Sequence, residues 1–276
     1  MDWTLAATYW PFVLGLMVTG VASGIAAGLL GIGGGAIIVP ALSTSLMVSG
    51  YDSDVVQHVA VGTSLAIIIP TGIMSARAHF KRRALDMKVL RLWVPFIVAG
   101  TLIGGLMAGW FSGDVLRIVF AVMAFVIAAN IVSGFQTKLM GHLHGSSLTH
   151  RVSAFVVGYI SALMGIGGGS LTVPTLVAFG SSMHAAVGTS AGIGVAIAIS
   201  GTIGFVISGW GVAGLPPLSP GYVNFGGVAA GGGAGGGFAP VGAALAHRLD
   251  QKTLKYVFAA FPVVVGLNMV WTVVNG

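Results

Sequence analysis

Long apolar runs separated by short polar joints dominate this chain. Residues 12–30, 92–110 and 115–135 are almost free of charge, and between Arg151 and Arg248 there is no Asp, Glu, Lys or Arg at all. About 20 apolar residues suffice for a helix to cross a bilayer, so that interval alone holds several crossings. The pattern predicts an all-α, polytopic transmembrane helical bundle. Gly-rich interruptions with proline nearby, at 31–40 and 165–174, predict that some of its helices are broken or re-entrant.

Composition agrees. Hydrophobic residues make up 56% of the 276 positions and charged residues 7%, whereas a soluble domain carries roughly 25% charge to keep its surface in water. The first apolar run follows Asp2 with no Lys or Arg before it, so it is expected to be retained rather than removed as a signal peptide. The net charge of +6 would suggest nucleic acid in a soluble protein. Here the basic residues sit in short joints between apolar runs, where membrane topology accounts for them and no nucleic-acid partner is expected.

The sequence repeats itself. Gly31-Ile-Gly-Gly-Gly-Ala-Ile-Ile-Val-Pro40 returns as Gly165-Ile-Gly-Gly-Gly-Ser-Leu-Thr-Val-Pro174, and His58-Val-Ala-Val-Gly-Thr-Ser64 returns as His184-Ala-Ala-Val-Gly-Thr-Ser190. Residues 116–121 match 254–259, and the same offset carries Asn130 onto Asn268. Residues 1–11 then form an amino-terminal lead, 12–135 a first transmembrane repeat, 136–151 a linker and 152–276 a second repeat, with about five helical segments in each half. Loop charge gives their relative sense. Arg77, Lys81, Arg82, Arg83, Lys88 and Arg91 make one joint of the first half basic, while its counterpart 208–222 is uncharged. Conversely, the joint from His247-Arg248 to Lys255 is basic, and its counterpart near 112–117 has one Asp and one Arg. Opposite biases at equivalent joints point to inverted-topology repeats. The basic joint and the linker are then cytoplasmic and both termini extracytoplasmic, in a cell (inner or plasma) membrane.

Candidate chemistry follows from the repeats. Gly33, Gly34, Gly35, Gly167, Gly168 and Gly169 should interrupt helices inside the membrane, exposing helix starts whose free N–H groups and positive dipole suit an anion. Close helix packing is the plainer role for glycine, and it is preferred for the runs 100–109 and 231–237. Thr63, Ser64, Thr189 and Ser190 offer hydroxyl donors to an oxyanion, or bond helix carbonyls instead. Asn130 and Asn268 are site residues or interhelical glue. His58 and His184 are candidates for anion contact or proton handling, and Arg77 either meets an anion at the inner mouth or snorkels to the interface.

No Glu occurs, and the six Asp residues all lie in joints or near termini. Cation transporters usually keep acids in the membrane, so an anionic substrate is favoured; if transport is proton-coupled, a histidine or the substrate carries the proton. Gly31-x-Gly33-x-x-Ala36 superficially matches a dinucleotide fingerprint but lacks the strand and the acidic ribose partner. No nucleophile–base pair or metal-ligand set has convincing spacing, and His142, His144 and His150, in a short linker without Cys or acidic partners, are expected to be solvated. No enzyme activity, cofactor or metal is expected.

The paired Gly-x-Gly-Gly-Gly…Pro and Gly-Thr-Ser elements in a duplicated chain resemble the TauE/SafE sulfite exporter family, grouped with four-toluene-sulfonate uptake-like transporters. The resemblance covers nearly the whole sequence. It implies secondary transport of small sulfur-containing anions: sulfite, thiosulfate, sulfoacetate or other organosulfonates. Its motif positions here are Gly33 to Gly35, Gly167 to Gly169, Thr63, Ser64, Thr189 and Ser190. The expected partners are such an anion and the lipid bilayer, with room for a homo-oligomer. An anion channel, or a carrier of another small oxyanion or carboxylate, is the alternative.

Overall fold

The computed structural model describes residues 34–133 and 147–231, together with 21, 260, 263–264 and 266–274. Seven helices lie among them: α1 Gly35–Val48, α2 Ser53–Lys81, α3 Met87–Ala108, α4 Gly113–Ser133, α5 Ser147–Met164, α6 Gly169–Ala178 and α7 Met183–Ser208. Residues 225–231 and 266–274 are also helical. No strand occurs among the described residues. α2, α3, α4 and α7 are long and apolar enough to cross a membrane. The bundle is the all-helical membrane fold expected.

Local chemistry sets the boundaries. α2 begins where the Asp52 carboxylate accepts the Asp54 N–H, α3 where Asp86 accepts from Lys88 and Val89, and α7 where the Ser182 hydroxyl accepts from Ala185. α1, α5 and α6 stop at left-handed glycines, Gly50, Gly165 and Gly180. In each, the glycine and the following residue donate back to the last turn, as Gly165 does to the Ala162 carbonyl (3.2 Å) and Ile166 to that of Ser161 (3.3 Å). Residues 147–151, assigned to the linker by the sequence, are already helical in α5.

Glycines bring the helices together. A methyl group at Gly62 would press on Phe205, at Gly72 on Val195 and at Gly201 on Leu65, so α2 and α7, the equivalent helices of the two halves, run antiparallel. α3 runs parallel to α7, with Gly105 against Gly204 and Gly109 against Ser208. It also runs parallel to α5, with Gly100 against the Phe155 carbonyl and Gly104 against Tyr159. Small residues let these backbones approach closely, the packing role expected for the run 100–109. Gly231, at the start of the later run, lies against Ile67; residues 232–237 are outside the described set. Trp93, Ile97, Leu65 and Phe205 are buried between these helices. The outward faces are apolar where a soluble protein would place polar residues. Ile118, Val122 and Val126 on α4, and Ile199, Ile203 and Ile207 on α7, are all exposed, as a lipid-facing surface requires.

The bundle has two chemically distinct ends. At one, the Gly113 N–H donates to the Asp54 carboxylate (2.8 Å), Gly109 meets Ser208, and Gly209 meets Tyr222. Asp52, Asp54 and Asp114 lie here, and the buried Arg117 pairs with Asp114 at 2.7 Å. Trp110 and Trp210 stand 81% and 72% exposed at this end, as aromatic residues at a membrane–water interface do. The other end carries Arg77, Lys81, Arg82, Arg83, Lys88, Arg91 and Arg151, with Asp86 as the one acid among its described residues.

α5 and α6 form a hairpin that enters and leaves at the basic end. His150 of α5 accepts from the Trp93 indole (3.1 Å) and stacks at 3.9 Å on Phe179, which follows α6 and meets the edge of the same Trp93. With 10 residues, α6 is about 15 Å long at 1.5 Å per residue, too short to cross. α1, with 14 residues, spans about 21 Å and runs from the interior to the acidic end. The second half therefore uses the re-entrant option.

Candidate substrate site

The two glycine-rich runs meet inside the bundle, through Gly35 of the first and Gly165 of the second. A methyl on Gly35 would strike the Gly165 carbonyl oxygen and the Ile166 Cα, at 2.6 and 2.9 Å. Gly34 reaches this crossing with φ +73°, a left-handed turn that glycine adopts at little cost. The Ser64 hydroxyl donates to the Gly165 carbonyl at 2.8 Å, joining α2 of the first half to the break of the second. Gly167, Gly168 and Gly169 are buried, with Gly168 against α7 at Ser190 and Gly194.

Two helices start at this crossing, α1 after Gly34 and α6 after Gly168, and neither start is capped by a side chain. An uncapped start leaves backbone N–H groups and the positive end of the helix dipole facing inward. In the first turn of α6 the Thr172 hydroxyl is fully buried, with no hydrogen-bond partner among the described residues. Such a group in an apolar interior is costly unless something accepts from it. The crossing thus offers N–H and O–H donors, with no carboxylate beside them among the described residues. That is a setting for an anion.

The threonines do something different. Thr63 accepts the Asn224 backbone N–H at 2.9 Å, and Thr189 accepts that of Asp86 at the same distance. Asn224 and Asp86 each cap the helix that follows, Asn224 accepting from Gly227 at 2.7 Å. One residue before each threonine, Gly62 lies against the Tyr222 carbonyl and Gly188 against that of Ala84. Each half therefore clasps a joint of the other with the same glycine and threonine. The offset that carries Asn130 onto Asn268 also carries Asp86 onto Asn224, the signal by which these caps could have been found.

The serines diverge, because Ser190 donates to Val187 in its own helix (2.8 Å). The histidines diverge as well. His58 is buried at the acidic end, its Nδ1 2.6 Å from the Asp54 carbonyl and its Nε2 2.9 and 3.1 Å from those of Ala108 and Phe111, with its ring stacked on Tyr222. It ties α2 to the α3–α4 turn. Burial and the Asp54 carboxylate raise the Tyr222 phenol above its ordinary range, keeping it neutral. His184 is exposed at the basic end, as is Arg77. Asn130 is half-buried, its side-chain oxygen unpartnered among the described residues, and Asn268 is exposed. Gly33 lies outside the described residues, and so do His142 and His144. No cluster of metal-binding residues occurs among the described residues.

Residues 16–269 match the model of the sulfite exporter TauE/SafE family. The chain belongs to this family. It is 33% identical over 258 residues to a Haemophilus influenzae protein described as "Probable membrane transporter protein", covering 94% of this chain and 98% of that one. "Probable membrane transporter protein YunE" of Bacillus subtilis is 28% identical over 278 residues, covering 93% and 96%. "Probable membrane transporter protein MJ0441" of Methanocaldococcus jannaschii is 25% identical over 192 residues, covering 69% and 71%. No solved structure matches. This TauE/SafE chain is thus a member of a membrane transporter family, with helices suited to several crossings.

Proposed function

We propose that this protein is a secondary active transporter of small sulfur-containing anions, such as sulfite, thiosulfate, sulfoacetate or other organosulfonates. The anion sits where the two glycine breaks cross. The carrying observation is the pair of uncapped helix starts at Gly35 and Gly169 beside the unpartnered Thr172 hydroxyl. Gly34, Gly35, Gly167 to Gly169 and Ser64 line this reading of the site, while Thr63 and Thr189 hold the joints around it; Gly33, outside the described residues, belongs to the same motif.

Alternating access comes from one half moving against the other. Antiparallel α2 and α7 and the reciprocal clasps support inverted halves. The basic end faces the cytoplasm by the positive-inside rule, which makes both termini extracytoplasmic in the cell membrane. The coupling ion in this reading is the proton, carried with the anion or by His58.

Thermal-shift screening of the purified protein against sulfite, thiosulfate, sulfoacetate, taurine and phosphate tests the substrate class. A sulfur anion should stabilise the protein. Thr172→Val should reduce that shift while leaving the ligand-free Tm unchanged or higher, because it removes an unpartnered buried hydroxyl. Stabilisation by a cation or a neutral sugar, with none from any sulfur anion, would overturn the reading. In proteoliposomes an imposed pH gradient should drive uphill uptake; flux that no ion gradient can drive uphill would identify a channel.

A further inference from the structure

The basic end contains a cavity that the transport reading does not use. A cavity of about 1020 Å³ opens between the α2–α3 joint of the first half and the start of α7 in the second. His79, Arg82, Arg83, Lys88 and His184 line it, with Asp86 as the one acid among the lining residues. The Asp86 carboxylate is already engaged by the N–H groups of Lys88 and Val89. The positive-inside rule explains basic residues at this end, but not their arrangement around a concavity with His184 and Ser182 from the other half.

The backbone adds an independent observation. Arg83 has φ +55°, and it ends α2 as Gly50, Gly165 and Gly180 end their helices. Arg83 donates to the Phe80 carbonyl (3.0 Å) and Ala84 to that of His79 (3.1 Å). A side chain in this conformation is unfavourable, and glycine is the usual choice. Here an arginine occupies it and lines the cavity. Half-exposed Met87 lines the cavity with Leu85, supplying apolar surface beside the basic groups, and exposed Phe80 follows His79 on α2.

We infer that this cavity binds the phosphate headgroup of an anionic phospholipid, with the acyl chains running past Phe80 and Met87. Basic pockets beside transmembrane helices on the cytoplasmic side suit such headgroups. The bound phosphate bridges Arg82 and Arg83 to the start of α7, across the joint that Thr189 and Gly188 clasp. It therefore steadies the contact between the halves. This role does not depend on which anion is transported.

The test adds cardiolipin, phosphatidylglycerol, phosphatidylcholine or inorganic phosphate to the full-length protein in detergent. Tm and lipid retention in native mass spectrometry are read. The two anionic lipids should bind and stabilise, and phosphatidylcholine should not. Each Lys or Arg near an anionic surface is worth roughly fivefold, so Arg82→Gln with Arg83→Gln should weaken binding by about tenfold or more. Arg91→Gln with Arg151→Gln removes the same charge from the same end outside the cavity and should have a smaller effect. Arg83→Gly should keep or raise the lipid-free Tm while weakening lipid binding. Equal losses in the two double variants would reduce the effect to general surface charge and overturn the site. Equal stabilisation by inorganic phosphate alone would overturn the lipid assignment.

Discussion

The joint between α2 and α3 and the segment 209–224 are built alike and charged differently. Both carry a residue whose N–H reaches a threonine of the other half and whose side chain caps the next helix. Both lay a carbonyl on that half's glycine. Yet the first is basic and its cap, Asp86, is exposed, whereas the second is uncharged and Asn224 is buried. The glycine–threonine pair thus sets the geometry, while charge follows the end of the bundle at which each joint lies.

The strongest challenge to this comparison is steric. Gly62→Ala and Gly188→Ala would each drive a methyl into a backbone carbonyl and should lower stability by about 1–3 kcal/mol, read as a lower Tm in detergent. If one variant were neutral, the two clasps would not be equivalent.

Removing the hydroxyls sharpens the contrast. Thr63→Val strands a buried N–H and should cost about 1–3 kcal/mol, with Thr63→Ser restoring most of the loss. Thr189→Val should cost less, because water can reach the exposed Asp86 joint. Equal losses by thermal unfolding would contradict that difference in burial.

The smallest effect concerns the caps. Asp86→Asn keeps a good capping side chain while removing charge, and it should change stability by only about a few tenths of a kcal/mol. Asp86→Ala should cost about 0.5–2 kcal/mol. A large loss in the asparagine variant would show that charge, rather than capping geometry, holds this joint.

Much of this was legible in the sequence. The apolar runs pointed to the membrane bundle, and the second glycine–proline run located the break between α5 and α6, though the sequence left open whether such segments cross fully or re-enter. What the motifs concealed was partnership. Thr63 and Ser64 are adjacent, yet one holds a joint and the other a glycine break. His58 and His184 occupy the same motif position, but one is buried among carbonyls and the other is exposed. These roles depend on groups far away in the chain, so local spacing could not reveal them. Thr172 carries no such signal, because a lone threonine in an apolar helix usually bonds its own backbone.

The clasps also set a timetable for biosynthesis. Thr63 meets a residue 161 positions downstream, and Asp86 one 103 positions downstream. At about 5–20 residues per second of synthesis, Thr63 waits roughly 8–30 s for Asn224 to be made. Asp86 waits roughly 5–20 s for Thr189. During that interval neither clasp can close, so the final packing of the first half must await the second.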